Sequence, residues 1–319
     1  MKKIKYLNLI EFTKKILLKA GLDNFSANSV SHGLCEASLR GVDSHGVRLL
    51  LHYVNSAING RKNPRPKFFF EKKFSSLGVL HADNAYGHSA GMKAIDLCMG
   101  MARKNGVGIV AVKNSSHSGA MASMALRASR KGFASFAFTH ADSLMLSHNG
   151  KKPYFGTNPI CFSCPRKNEE PYCLDMATTF ISWNKLLSYK NKNKNLPKNY
   201  AADQHGKETS NPNIAESLLP IGTYKGYGLA SMVEILCGIY TGMPFGNSIL
   251  PMFTSSMNKK RNLGQFYIVF RIDGCVSRSE FENRMKIFSN QIRNQPSKSK
   301  KGVLMPNDIE IRNAKKRKK

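Results

Sequence analysis

Val107-Gly-Ile-Val-Ala-Val112 is an unbroken apolar run, and Lys113-Asn-Ser-Ser-His-Ser-Gly119 follows it directly. A run with no polar alternation suits a sheet strand covered on both faces. A helix from Ala120 to Arg130, stopped by Gly132, and a strand from Phe133 to Phe138 come next. On the other side, Leu77 to His81 is strand-like, Asp83 to Gly87 turns, and Ser89 to Lys104 is helical before Asn105-Gly106. This β-α-β-α-β rhythm predicts an α/β sheet. It also sets the 113–119 turn beyond the carboxyl end of a strand and ahead of a helix, where α/β folds hold ligands. The free amides of the turn, the hydroxyls of Ser115, Ser116 and Ser118, and the His117 imidazole suit a polar or anionic ligand. An ordinary polar turn with a helix cap is the competing reading. Position, rather than any motif, favours the functional one.

Upstream lies a second histidine turn, Gly41-Val-Asp-Ser-His-Gly-Val-Arg48. Helices are expected on either side: Leu7 to Ala20 with Gly21 as its stop, a second capped by Ser26 and running to Arg40, and a third from Val47 to Asn59 ended by Gly60. Gly41 and Gly46 permit a tight connection that aims Ser44 and His45 at one spot. A histidine trades a proton near neutral pH, and an arginine such as Arg48 grips a carboxylate through two parallel hydrogen bonds. Acid/base chemistry on an anionic substrate is the sharp reading. Taken alone, these eight residues lean towards a helix cap at Asp43 and a satisfied buried His45; the His117 turn tips the balance.

Downstream, Tyr154 to Ile160 is a tight turn entering a strand, and Tyr172 to Asp175 is a strand before a helix that Thr178 or Thr179 could cap. Residues 190–213 are Lys/Asn-rich with few apolar side chains and read as a surface loop. Leu218 to Gly228 opens a long apolar helix, Leu229 to Tyr240, and Lys225 at its entrance can present an ammonium to a phosphate or simply sit in water. A strand ending at Phe270 and an amphipathic helix from Ser279 to Ile292 follow. No Gly-x-Gly-x-x-Gly follows any strand, and Gly226-Tyr-Gly228 is only a fragment, so a conventional Rossmann site is not supported.

The 319 residues, 41% hydrophobic, can bury a sizeable core. The net charge of +29 invites a nucleic-acid reading, but much of it lies in Lys2, Lys3 and Lys5, in 185–198, in Lys259 to Arg261 and in Lys315 to Lys319, with no nucleic-acid-binding signature beside it. A solvated basic surface is the reading taken, with no specific nucleic acid as partner. Seven scattered cysteines make no disulfide framework and point to a reducing, cytoplasmic setting. Cys161 and Cys164 lie three apart on a strand and should face opposite ways, so no metal is expected. No apolar stretch is long enough to span a membrane.

In chain order, Arg40-Gly-Val-Asp-Ser-His-Gly-Val-Arg48, Asn114-Ser-Ser-His-Ser-Gly119, Gly156-Thr-Asn-Pro159, Leu174-Asp-Met-Ala-Thr178, Tyr224-Lys-Gly-Tyr-Gly228 and Arg261-Asn-Leu-Gly-Gln265 resemble the type-2 malate/L-lactate dehydrogenase family. The likeness runs from about residue 5 to 312. Leu80 to Ala85, Asp175 to Thr179 and Trp183-Asn-Lys185 look most like ureidoglycolate dehydrogenase. The resemblance implies a non-Rossmann mixed sheet with flanking helices plus a helical N-terminal subdomain, in a homodimer. It implies NAD or NADP, and hydride transfer with a small 2-hydroxy or 2-oxo acid, ureidoglycolate, malate and lactate being the candidates. It makes His117 and His45 the acid/base candidates, with Ser44 and Asp175 orienting His45 and Arg48 holding the substrate carboxylate. Asp175, Met176, Ala177, Thr178, Tyr224 and Lys225 would form part of the cofactor site.

Three departures from the family pattern stand out: Ser147-His-Asn-Gly150 in place of a glycine-rich turn, Ala141 at a commonly polar pocket position, and Asn307 in place of glycine. The sequence also stops at Lys319, short of a helical segment common in relatives. The expected organisation is a helical piece over 1–73 packing with the C-terminal helices, a cofactor-binding α/β domain over 74–272, and a C-terminal helix with a basic tail over 273–319. Two alternatives stay open: a cyclic imino-acid reductase of the same fold, and a catalytically lapsed polyanion-binding relative.

Overall fold

The structure, a computed structural model, describes residues 4–318. Lys2, Lys3 and Lys319 of the basic clusters lie outside the described residues. The apolar run that opens at Val107 continues to Ser115 and lies third in a seven-stranded sheet. The order is Phe69–Phe74, Leu77–His81, Val107–Ser115, Leu263–Arg271, Phe133–Thr139, Ile160–Arg166, Glu169–Met176. Leu77–His81 and Val107–Ser115 pair in parallel, and the other neighbours are antiparallel. The sheet is therefore mixed, and the Leu263–Arg271 strand inserts between the 107–115 and 133–139 strands.

Alternation across the pleat sends neighbouring residues into two cores. Val110, Val112, Ala137 and Tyr267 join the cluster under helices Gly87–Asn105 and Ala122–Arg130. Ala111, Phe138 and Phe266 instead meet Val233 and Cys237 on the opposite face. Truncating a fully buried anchor such as Leu80 to Ala would cost about 2–5 kcal/mol. Cys161 and Cys164 fall into different clusters, as their spacing predicts. Among the described residues no group of three or more His, Cys, Asp or Glu is arranged to hold a metal ion.

The first strand, Phe69–Phe74, occupies the end of the range expected to be helical, 1–73, and crosses its boundary. It is a largely exposed edge, and Phe-Phe-Glu-Lys-Lys-Phe has no clean alternation to announce it. Helices Tyr6–Lys19, Asn24–Leu39 and Leu50–Ile58 form the N-terminal piece. Asp23, rather than Ser26, caps the second: its carboxylate accepts from the Ser26 amide at 2.6 Å. Their shared core includes Leu17, Val30, Leu34 and Tyr53, and is completed by Tyr86 and Met252 from beyond the sheet's edge. The Asp308–Lys318 helix packs on Asn24–Leu39, where Asn313 donates to the Arg40 carbonyl.

Residues 190–213 are more than a surface loop. Ala201–Ala202 and Glu208–Thr209 join Met145–Leu146, Pro153–Phe155 and Ser217–Leu218 in a small second sheet. Leu196 and Ala201 are buried against it, too widely spaced in sequence to signal a strand. The Trp183–Asn191 helix is capped by Ser182, not by Thr178 or Thr179. The expected long apolar helix is α-helical over Tyr224–Glu234 and widens to a π-turn over Ile235–Ile239. No helix among the described residues is long and apolar enough to cross a membrane.

Candidate active site

The Asn24–Leu39 helix ends in a left-handed Gly41 (φ 86°), a conformation that side chains disfavour. The chain then forms a tight 3₁₀ turn, Asp43–His45. Gly46 is needed for space rather than for its backbone angle, because a Cβ there would collide with Ser38. The Ser38 hydroxyl accepts from the Val47 amide at 3.0 Å and pins the turn. Within it, Ser44 Oγ lies 2.9 Å from His45 Nδ1, and Asn184 donates to the Ser44 carbonyl at 3.2 Å. Asp43 caps no helix; it forms a two-point ion pair with Arg317 at 2.6 and 3.0 Å.

The second histidine turn is held from behind. Ser116 Oγ donates to the Ala85 carbonyl and accepts from the Gly87 amide. Gln265 donates to Ser115 Oγ at 2.7 Å, and Ser118 donates to the Ser116 carbonyl. All three serine hydroxyls are thus committed internally, which corrects the expectation that they greet a ligand. His117 is the group the turn offers. Its Nδ1 lies 2.7 Å from the Tyr53 hydroxyl, leaving Nε2 for a substrate.

The two turns meet. The His45 and His117 rings stack with centroids 5.6 Å apart and planes 14° apart. Both line a cavity of about 200 Å³, with Ala141, Asp142, Trp183 and Phe253 among its other walls. Burial, aided by the Arg48 charge, pulls the His45 imidazole down to about 4. Burial, then His45 and Lys62, pull His117 well below its ordinary value. Both rings are therefore neutral near pH 7, the form that accepts a proton. Asp142 in the same wall is claimed by Arg261, an ion pair whose arginine is buried and whose carboxylate is partly so. Arg48 is exposed; its charge reaches His45, but it is not among the residues lining the cavity.

Asp175 stands apart. It makes no hydrogen bond or ion pair with His45 among the described residues; its Oδ2 accepts from the Ala122 amide at 2.8 Å. It lines a second cavity of about 280 Å³ with Arg40, Asn307 and Glu310. No contact among the described residues supports the orienting role expected of it beside His45, whereas Ser44 meets that ring directly. Asp175 is exposed to solvent, so the rise of its carboxyl to about 6, from desolvation first and the Glu310 charge after, against the opposing Ala122 amide and Arg40, is screened. Asn307 takes a left-handed backbone (φ 83°), which asparagine tolerates. Its side chain accepts from Arg40 and donates to the Pro171 carbonyl at 2.7 Å, so this departure has a structural use.

The remaining cofactor candidates adjoin. Met176 ends the Glu169–Met176 strand, Ala177 follows, and the Thr178 hydroxyl donates to the Thr157 carbonyl. The Thr178 carbonyl accepts from the Ile221 amide at 3.0 Å, just ahead of Tyr224 and Lys225. Both of these are exposed at the start of a helix whose first amides carry no side-chain cap. Backbone carbonyls of Gly222 and Ile221 take the Lys225 and Gly226 amides, so the exposed Lys225 ammonium is the group left for a phosphate. Sequence reasoning missed Tyr53, which carries only a core-like signal within its helix. It also missed Lys62, which looks like one more surface lysine.

The malate/L-lactate dehydrogenase profile matches residues 4–319. The chain is 34% identical over 267 residues to ureidoglycolate dehydrogenase (NAD(+)) of Escherichia coli K12, spanning 84% of this chain and 76% of that one. It is 34% identical over 298 residues to a malate dehydrogenase of Pyrococcus abyssi, spanning 90% and 80%. Its fold superposes on the crystal structure of malate dehydrogenase from Entamoeba histolytica with a TM-score of 0.93 and 28% identity, covering all of this chain and 92% of the other.

Proposed function

The chain belongs to the malate/L-lactate dehydrogenase family, and from that premise we propose that it is an NAD- or NADP-dependent oxidoreductase acting on the CH–OH group of a small 2-hydroxy acid. The observation that carries this reading is the stacked His45–His117 pair in one cavity, with Tyr53 bound to His117 Nδ1. His117 Nε2 accepts the substrate hydroxyl proton in oxidation, and the imidazolium returns it when a 2-oxo acid is reduced. His45, oriented by Ser44, and the nearby Arg48 hold the substrate carboxylate. Asp175, Met176, Ala177, Thr178, Tyr224 and Lys225 would hold the nicotinamide cofactor, which supplies hydride acceptance and donation when bound. The wall at Ala141, Trp183 and Phe253 is largely apolar and excludes water from the reacting carbon.

Ureidoglycolate, malate and lactate are the first substrates to try. A panel of 2-hydroxy and 2-oxo acids, followed by NADH and NADPH absorbance, tests the reading; no turnover with any of them would sink it. A homodimer is part of the same proposal. Tyr224, Leu229, Met232, Ile235, Ile239 and Tyr240 expose a continuous apolar face along one helical segment, which a partner copy would cover. Light scattering should give a dimer, and Ile235→Glu should shift it towards monomer. A fully active monomer would refute the assembly.

A further inference from the structure

Lys62 is a lysine buried out of water, 2% exposed, and its Nζ has no hydrogen-bond partner. It lies 4.0 Å from the centroid of the Tyr53 ring and 4.7 Å from that of Tyr86. The charges acting on it are those of Arg261 and Arg61, both positive. Burial, then those two arginines, pull its amine well below the ordinary lysine value, and no carboxylate among the described residues stands by to hold its proton. Here the faces of two phenol rings are what it has. Those rings are part of the site: Tyr86 donates to the Tyr53 carbonyl at 2.8 Å, and the Tyr53 hydroxyl meets His117.

We propose that Lys62 is a positioning residue for the proposed reaction: it clamps the Tyr53 phenol against His117 Nδ1, and its charge opposes a proton on that imidazole, keeping Nε2 free to accept one from the substrate. The inference rests on the reading of His117 as proton acceptor. The groups facing His117 are stacked His45, the Tyr53 hydroxyl, His88 across the Tyr53 ring, Lys62 and Arg261. Asp142 is the carboxylate in that wall, and Arg261 holds it. A proton on His117 therefore meets the Lys62 and Arg261 charges with no free anion among the described residues to offset them. Burial lowers His117 most, and Lys62 adds in the same direction. Removing a nearby positive charge favours the imidazolium, so the proton-accepting form would persist to less acidic pH only.

Lys62→Met keeps the chain length and the apolar contact on both rings but removes the charge; Lys62→Arg keeps the charge. In the full-length protein, Lys62→Met should move the acidic limb of kcat/KM for oxidation upward by on the order of one pH unit, with KM at alkaline pH nearly unchanged. Lys62→Arg should leave the limb close to its original place. A folded Lys62→Met variant whose limb does not move overturns the proposal. So does a Lys62→Arg limb displaced by a unit to lower pH, since that would mean the native side chain is uncharged; this arm decides even where Lys62→Met does not fold. A readout independent of turnover is the His117 ring titration by histidine-labelled NMR, assigned with His117→Gln. The same upward shift in Lys62→Met supports the coupling even if no substrate is turned over. Turnover with an unmoved ring titration sinks the Lys62 role alone.

Discussion

Two cavities share one scaffold, and desolvation acts on opposite charges in them. In the first, the walls are rich in histidine, with Arg48, Lys62 and Arg261 close by, and desolvation drives His45 and His117 to their neutral, proton-accepting forms. In the second, Asp175 faces Glu310 as well as Arg40, and desolvation, screened there by solvent, pushes its carboxyl up to about 6. The same physical effect thus prepares a base in one place and a carboxyl that titrates just below neutrality in the other. Motifs that run side by side in sequence order need not share a site. Asp175 lies far from His45 in hydrogen-bonding terms, whereas Tyr53 reaches His117 from a helix with no motif at all.

The largest expected effect divides the cavities by reaction step. His117→Ala should lower turnover by about 10²–10⁴-fold, the usual worth of general acid/base assistance, while cofactor still binds. His45→Ala should lose less, and stopped-flow measurement of the hydride step separates the two. Near-normal turnover in both variants would remove proton chemistry from this cavity. Next in size, Arg48→Ala should raise KM on the order of 10–100-fold with a smaller effect on kcat, as expected for a charged contact to a carboxylate lost from ground and transition states alike. An unchanged KM would mean that the exposed arginine does not reach the substrate.

The second cavity predicts a pH effect of its own. A carboxylate accepts hydrogen bonds from cofactor hydroxyls better when ionised, and Asp175 takes up its proton as pH falls through about 6. Cofactor affinity, followed by nicotinamide fluorescence, should weaken by about tenfold between pH 8 and pH 5, the scale of one charge-assisted hydrogen bond. Asp175→Asn should bind weakly at both values and flatten the dependence. The linkage to stability has the opposite sign from a salt-bridged acid. Because the folded carboxyl titrates above its usual 3.8, the native state holds the extra proton between those values, and Asp175 detracts from stability as pH rises through about 6. A Tm that Asp175→Asn leaves untouched at pH 8 would contradict that account.

How much of this was legible depended on how each contact is encoded. The sheet was readable because Val107–Val112 is a continuous apolar run and Phe133–Phe138 is one broken only by Ser135, each preceded by a glycine stop, local signals that survive without context. Both candidate histidines were readable because each sits in a glycine-containing turn between elements. The Leu263–Arg271 strand's insertion between two earlier ones was not, since pairing order is set by long-range packing rather than by pattern. Lys62 and Tyr53 were invisible for the same reason: their meaning comes from Tyr86, His117 and Arg261, which are distant in sequence. The serines of the 113–119 turn misled in the other direction. Their hydroxyls look available in a sequence, and only Ala85, Gly87 and Gln265 reveal that they are already taken.

The smallest expected effect concerns the basic tail, which the composition presents as a uniform solvated surface. Arg317 breaks that uniformity by gripping Asp43 with both nitrogens and donating to the Ser38 carbonyl, so the tail touches the turn that presents His45. The pair is substantially exposed, with 43% and 62% of the two side chains open to water. Exposed pairs contribute about 0.2–1 kcal/mol and are screened by salt. Arg317→Ala should therefore lower stability by no more than that, and change turnover by less than about twofold. Replacing Lys315, Lys316 and Lys318 together with serine should do less still, because no ion pair among the described residues uses them. Denaturant melts at low and high salt decide the matter: the Arg317→Ala deficit should shrink as salt rises, while the triple-lysine variant tracks the unaltered protein throughout. If the two variants lose equal stability, Arg317 is one more solvated cation, and the C-terminal helix does nothing particular to hold the first histidine turn.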